Sequence, residues 1–149
     1  MPKILVVRFS SIGDIVLTTP VVRALKQQLN AEVHYLTKKS FRGILAHNPY
    51  ISQIITINSK VDEVAAELKA ANYDFVVDLH HNLRSMQVKR LLGKPSASFP
   101  KLNVQKWLLV NLGINRMPAV HIVDRYFEAA KPLGISNDNA GLDYFIAPA

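Results

Sequence analysis

Residues Ile4-Leu5-Val6-Val7 form an unbroken aliphatic run near the start of the chain. A strand with one wet face alternates apolar and polar residues. One with no polar position is buried on both faces, as inside a parallel sheet covered by helices. The segments that follow repeat the unit this implies. Glu32–Thr37, Gln53–Ile57 and Asp74–Leu79 read as further strands, with Ala97–Phe99 as a short edge strand. Between them lie helical stretches at Gly13–Leu29, Ser40–His47 and Asn82–Leu92, the last stopped by Gly93. Val61, Val64, Ala65, Leu68 and Ala71 make the cleanest amphipathic helix, recurring at i, i+3, i+4, i+7 and i+10. Asn103–Leu112 and His121–Leu133, closed by Gly113 and Gly134, are two more. Pro20 must kink the first helix or lie in its early turns, with Thr19 as cap. Strands alternating with helices at this spacing predict an α/β fold: a Rossmann-like, doubly wound parallel sheet with helices on both faces.

The composition narrows the function. At 149 residues and 49% hydrophobic, the chain is long enough for one domain with a real core. It has no cysteine, which excludes disulfides, thiolate metal sites and a cysteine nucleophile. Lys and Arg number 18 against 11 Asp and Glu, a net charge of +7 that calls for an anionic partner. The basic residues are scattered and not interleaved with aromatics, so nucleic acid is not the expected partner. No apolar run approaches the roughly 18 residues of a membrane span. The N-terminal aliphatic run is too short for a secretory signal, so a cytoplasmic domain is expected. The chain stops at Ala147-Pro148-Ala149 without a closing helix, which reads as a cut inside a linker.

Ligands of open α/β sheets bind at the carboxyl ends of the strands. The first strand runs into Arg8-Phe9-Ser10-Ser11-Ile12-Gly13-Asp14, a turn with two hydroxyls, a glycine and a carboxylate. Helix amides there favour an anion, and Gly13 lets a ligand approach the backbone. Neither the dinucleotide GxGxxG nor the Walker GxxxxGK[ST] pattern is present. Asp14 is either a helix-start carboxylate or a general base, held ionised by the same amides. Ser10 and Ser11 are turn residues or ligand contacts.

After the fourth strand, Asp78-Leu79-His80-His81-Asn82-Leu83-Arg84 crowds polar groups together. Asp78, His80 and His81 suit a metal site and a hydrolase. The same segment also suits sugar or phosphate recognition, with Arg84 clamping an anion. In a third reading Asn82 only caps the next helix and Arg84 is solvated. His121 and Arg125, four apart, share one helix face.

The run Lys3–Pro20, with its Ser10-Ser11-Ile12-Gly13-Asp14 turn, closely resembles the opening of the ADP-heptose:lipopolysaccharide heptosyltransferases, glycosyltransferase family 9. Asp78–Ser85 is similar to the family's Asp-x-x-x-x-Leu-(Arg/Lys)-Ser element, with His81-Asn82 where the family carries a glycine. His121–Arg125 matches its His-x-x-(Asp/Glu)-Arg helix start. The resemblance implies the N-terminal, acceptor-binding half of a two-domain GT-B enzyme, residues 1–141, with residues 142–149 opening the interdomain linker. It implies an inverting transfer of heptose or a related sugar to a lipopolysaccharide inner-core acceptor, with Asp14 as base. Ser10, Ser11 and Gly13 would lie beside the donor phosphates. Asp78, His80, Asn82, Arg84, His121 and Arg125 would hold the anionic acceptor. The ADP-sugar would be bound mainly by a second domain, at the inner face of a membrane. No metal or other cofactor is implied, since amides and basic side chains can stabilise the leaving diphosphate.

Overall fold

The computed structural model describes residues 2–10, 12–80, 82–98, 126–127 and 130–138. Five parallel strands form one sheet: β1 (Lys3–Val7), β2 (Glu32–Lys38), β3 (Gln53–Ile57), β4 (Phe75–Asp78) and β5 (Ser96–Ser98). Their spatial order is β3-β2-β1-β4-β5. The aliphatic run thus lies at the centre, with Val7 opposite both Leu36 of β2 and Asp78 of β4. All four of its residues are fully buried.

Because side chains alternate along a strand, that run feeds two cores. Ile4 and Val6 pack with Ile15, Val22, Leu25, Val33, Tyr35 and Phe127 on one face. Leu5 and Val7 pack with Leu36, Ile57, Val64, Leu68 and Val88 on the other. The first face is covered by α1 (Ile12–Leu17), α2 (Thr19–Leu29) and α3 (Arg42–Leu45). The second is covered by α4 (Ala65–Ala71) and α5 (Leu83–Leu92). The doubly wound expectation holds.

Four helices differ from their sequence-based outlines. Gly13–Leu29 is two helices, because Pro20 in the first turn of α2 offers no N–H to the carbonyl of Val16. The Thr19 hydroxyl donates to that carbonyl instead, at 2.6 Å. The cap position falls on Thr18, not Thr19, and its side chain makes no capping bond. The Thr18 hydroxyl donates backwards to the Ile15 carbonyl at 2.6 Å and meets the Tyr35 hydroxyl at 2.7 Å. Ser40–His47 is a 3-10 turn, Lys39–Phe41, followed by the four residues of α3. The amphipathic helix opens as a 3-10 turn over Val61–Val64, whose approach loop is fastened by Glu63 accepting the N–H groups of Asn58, Ser59 and Lys60.

At α5 the capping reading of Asn82 is the one the structure shows: Asn82 Oδ1 accepts Ser85 N–H at 2.9 Å and Asn82 N–H donates to Ser85 Oγ at 2.8 Å. Gly93 closes the helix at φ 60°, a left-handed conformation that favours glycine. Tyr126 and Phe127 are helical, but the expected helix does not continue to Leu133: Ala130 is in a turn, and Lys131–Leu133 is a 3-10 turn ended by Gly134 at φ 75°. The Asn103–Leu112 helix and the Leu142–Ile146 segment lie outside the described residues. Among the described residues no helix is long and apolar enough to cross a membrane.

Candidate functional site

The chain leaves β1 towards β2 on one side and later returns to β4 on the other, so the carboxyl ends of β1 and β4 flank the switch point of the sheet. Two turns meet there. Leu79 N–H donates to the Val7 carbonyl at 3.0 Å, continuing the ladder past the end of β4. Phe9 N–H then donates to His80 Nδ1 at 3.0 Å, and the two rings lie 5.6 Å apart.

That bond makes His80 Nδ1 an acceptor, so the ring proton sits on Nε2. Burial first, and then the positive charge of Arg8, pull the imidazole down to about 4. His80 is a neutral group at physiological pH. It offers an N–H to a hydroxyl rather than a charge to an anion.

Arg8 lies where the two turns touch. Its Nε donates to the Ser10 carbonyl at 2.6 Å and its Nη1 to the Leu79 carbonyl at 3.0 Å. Nη2 is 3.1 Å from Asp14 Oδ2. The Asp14 side chain keeps 37% of its exposure while Arg8 keeps 13%, so the carboxylate faces solvent on one side and a sheltered cation on the other. Beneath them, burial pushes Tyr126 up to about 12 and raises Tyr35 further, with the Thr18 hydroxyl opposing it at Tyr35. Both phenols lie in the field of the Arg8–Asp14 pair.

Gly13 is exposed, and a Cβ placed on it would meet nothing within 4 Å. The fold itself therefore does not require glycine there; its effect is to leave the surface of α1 open. Ser10 is half-buried, and its carbonyl is held by Arg8.

The second turn departs from expectation at Asp78. This carboxylate is fully buried, with Oδ1 accepting His80 N–H at 3.0 Å and Oδ2 paired with Lys89 Nζ at 2.9 Å. Enclosed in this way it cannot hold an acceptor, and it serves to fix the turn that carries His80. The same bonds count against the metal reading, since the Asp78 oxygens and His80 Nδ1 already face protein donors. Among the described residues no group of three or more His, Cys, Asp or Glu is arranged to hold a metal ion.

Arg84 is half-buried and lines an open cavity of about 500 Å³ with Ser59, Lys60, Asp62 and Gln87. The structure thus brings Asp14 and His80 together around Arg8, and puts Arg84 beside a second basic group, Lys60. Asn82 is placed by its capping role. Ser11, His81, His121 and Arg125 lie outside the described residues. Sequence reading did not single out Arg8 or Lys89. The available signal was a cation directly after a fully apolar strand, and another six residues past the start of the helix that follows Asp78.

With the fold and this geometry established, comparison with known proteins points one way. No family model matches the chain. Lipopolysaccharide heptosyltransferase 1 of Campylobacter coli is 27% identical over 111 residues, 70% of this chain and 32% of that protein. Lipopolysaccharide heptosyltransferase 3 of Escherichia coli K12 is 29% identical over 139 residues, 84% of this chain and 40% of that protein. The chain resembles the lipopolysaccharide heptosyltransferases. It spans about a third to two fifths of the length of these curated relatives.

The solved structures agree on the fold. A family-9 glycosyltransferase from Veillonella parvula superposes with a TM-score of 0.76 at 21% identity, covering 99% of this chain and 45% of its own. The Escherichia coli heptosyltransferase WaaC with ADP gives 0.69 at 24% identity, covering 97% and 51%. The resemblance read from the motifs and the GT-B half-fold it implied both hold.

Proposed function

We propose that this chain is the acceptor-binding half of an inverting heptosyltransferase, with Asp14 as its general base. The observation that carries the reading is the half-exposed Asp14 carboxylate, held by Arg8 at the switch point of the sheet, in a chain similar to lipopolysaccharide heptosyltransferases. In this scheme an inner-core hydroxyl of the acceptor gives its proton to Asp14. The oxygen bonds to the anomeric carbon of the ADP-sugar from the far face, while the bond to the diphosphate breaks and ADP carries the electron pair away. The Ser10-Ser11-Ile12-Gly13 turn lies beside the donor phosphates, and the donor is bound mainly by a second domain following a linker at residues 142–149. Arg84, His80 Nε2–H and Asn82 meet the acceptor, together with His121 and Arg125. The net charge of +7 suits both that anionic acceptor and the cytoplasmic face of an anionic membrane.

The test is transfer from ADP-heptose to an inner-core lipopolysaccharide acceptor by the complete polypeptide that carries this chain. Asp14→Asn is expected to lower kcat by about 10²–10⁴-fold, the usual contribution of a positioned base. Residues 1–149 alone are expected to show negligible turnover. Wild-type rates from either protein would refute the assignment. A different sugar or acceptor is the second reading, favoured by His81-Asn82 at the place of the family glycine. A panel of nucleotide-sugars separates the two.

A further inference from the structure

Resting on the reading of Asp14 as the base, we propose that Arg8 is the positioning residue that aims and holds that carboxylate. Two backbone carbonyls grip its guanidinium: Ser10 at Nε, 2.6 Å, and Leu79 at Nη1, 3.0 Å. The group is a rigid plane, so fixing two of its nitrogens also fixes the third. Nη2 is the one that reaches Asp14 Oδ2, at 3.1 Å. One of the anchors, Leu79, is itself bonded to Val7 across the β1–β4 ladder, so the register of the sheet is transmitted to the carboxylate.

The carboxylate needs such a link. It rides on α1, a six-residue helix separated from α2 at Thr18, and a helix of that length has little stiffness of its own. Arg8 is a cation largely sheltered from water, which strengthens its hold. It bonds Asp14 through Oδ2, while the Asp14 side chain keeps 37% of its exposure. A lysine supplies the charge without the fork.

The experiment uses the complete polypeptide that carries this chain, with ADP-heptose and an inner-core lipopolysaccharide acceptor as probes. Arg8→Gln is expected to lower kcat about 100-fold, the scale of a misplaced reacting group, and to move the acceptor KM by less than about twofold. Arg8→Lys should recover part of that loss. On an Asp14→Asn background, Arg8→Gln should cost nothing further, because the two act as one unit. A loss carried in KM, an Arg8→Lys protein no faster than Arg8→Gln, or a full additional loss on that background would overturn the proposal. Should Arg8→Gln not fold, Arg8→Lys carries the test, with kcat expected about tenfold down at unchanged KM; an unchanged kcat overturns it. Full transfer by Asp14→Asn alone would instead remove the base assignment underneath, so the two failures are distinguishable.

Discussion

Lys89 and Asp78 show what the site costs at the scale of single residues. A fully buried carboxylate survives because an ammonium group 2.9 Å away and a backbone N–H share its charge. Replacing Lys89 with Met removes the cation and leaves the acid enclosed, and is expected to destabilise the fold by about 3 kcal/mol in chemical denaturation. His80 makes the fold sensitive to acid through the opposite logic. Its folded pKa, about 4, lies below the ordinary 6.5, so the unfolded chain takes up the proton first. The stability it contributes is complete above about pH 6.5 and is lost as the pH falls towards 4. Urea melts at pH 7 and pH 4.5 should show the drop. In His80→Gln, whose side-chain carbonyl can still accept Phe9 N–H, the drop should be smaller.

At the scale of elements, α1 combines a local weakness with an exposed function. An alanine at Gly13 would meet no neighbour, and by helix propensity alone it should stabilise the chain by about 0.5 kcal/mol. If donor phosphates pass over that turn, the same methyl group obstructs them. Gly13→Ala is then expected to be slightly more stable than wild type and to transfer about tenfold more slowly, a transition-state loss near 1.4 kcal/mol. A variant that gains stability at full rate would show that nothing approaches Gly13. The break at Thr18 belongs to the same scale. Pro20 marked a disturbance there in the sequence but not a break into two helices, and the Tyr35 hydroxyl that meets Thr18 comes from a strand 17 residues away.

At the scale of the whole molecule, the last described segment is fastened back onto α2. Arg23, 4% exposed, donates Nε and Nη2 to the two carboxylate oxygens of Asp138 at 2.8 and 2.7 Å. Gln28 exchanges two hydrogen bonds with the backbone of Ser136 beside it. Asp138→Ala takes the carboxylate from a buried guanidinium, and a loss of about 3 kcal/mol is expected. Hydrogen exchange should then rise first in α2 and in residues 135–138, because this contact closes the chain over one face of the sheet.

Patterns set by neighbours along the chain were readable from the sequence alone. The aliphatic run of β1, the alternation of strands and helices, and the capping of α5 by Asn82 follow from side-chain periodicity and local bonding, and so does the motif turn ending in Asp14. The tertiary structure decided what pairs across long separations. It buried Asp78 against Lys89, turned His80 into a neutral acceptor for Phe9, and set Arg8 between Leu79 and Asp14. The sequence shows these charges but not their partners, since burial and ion pairing depend on which strand ends the sheet brings together.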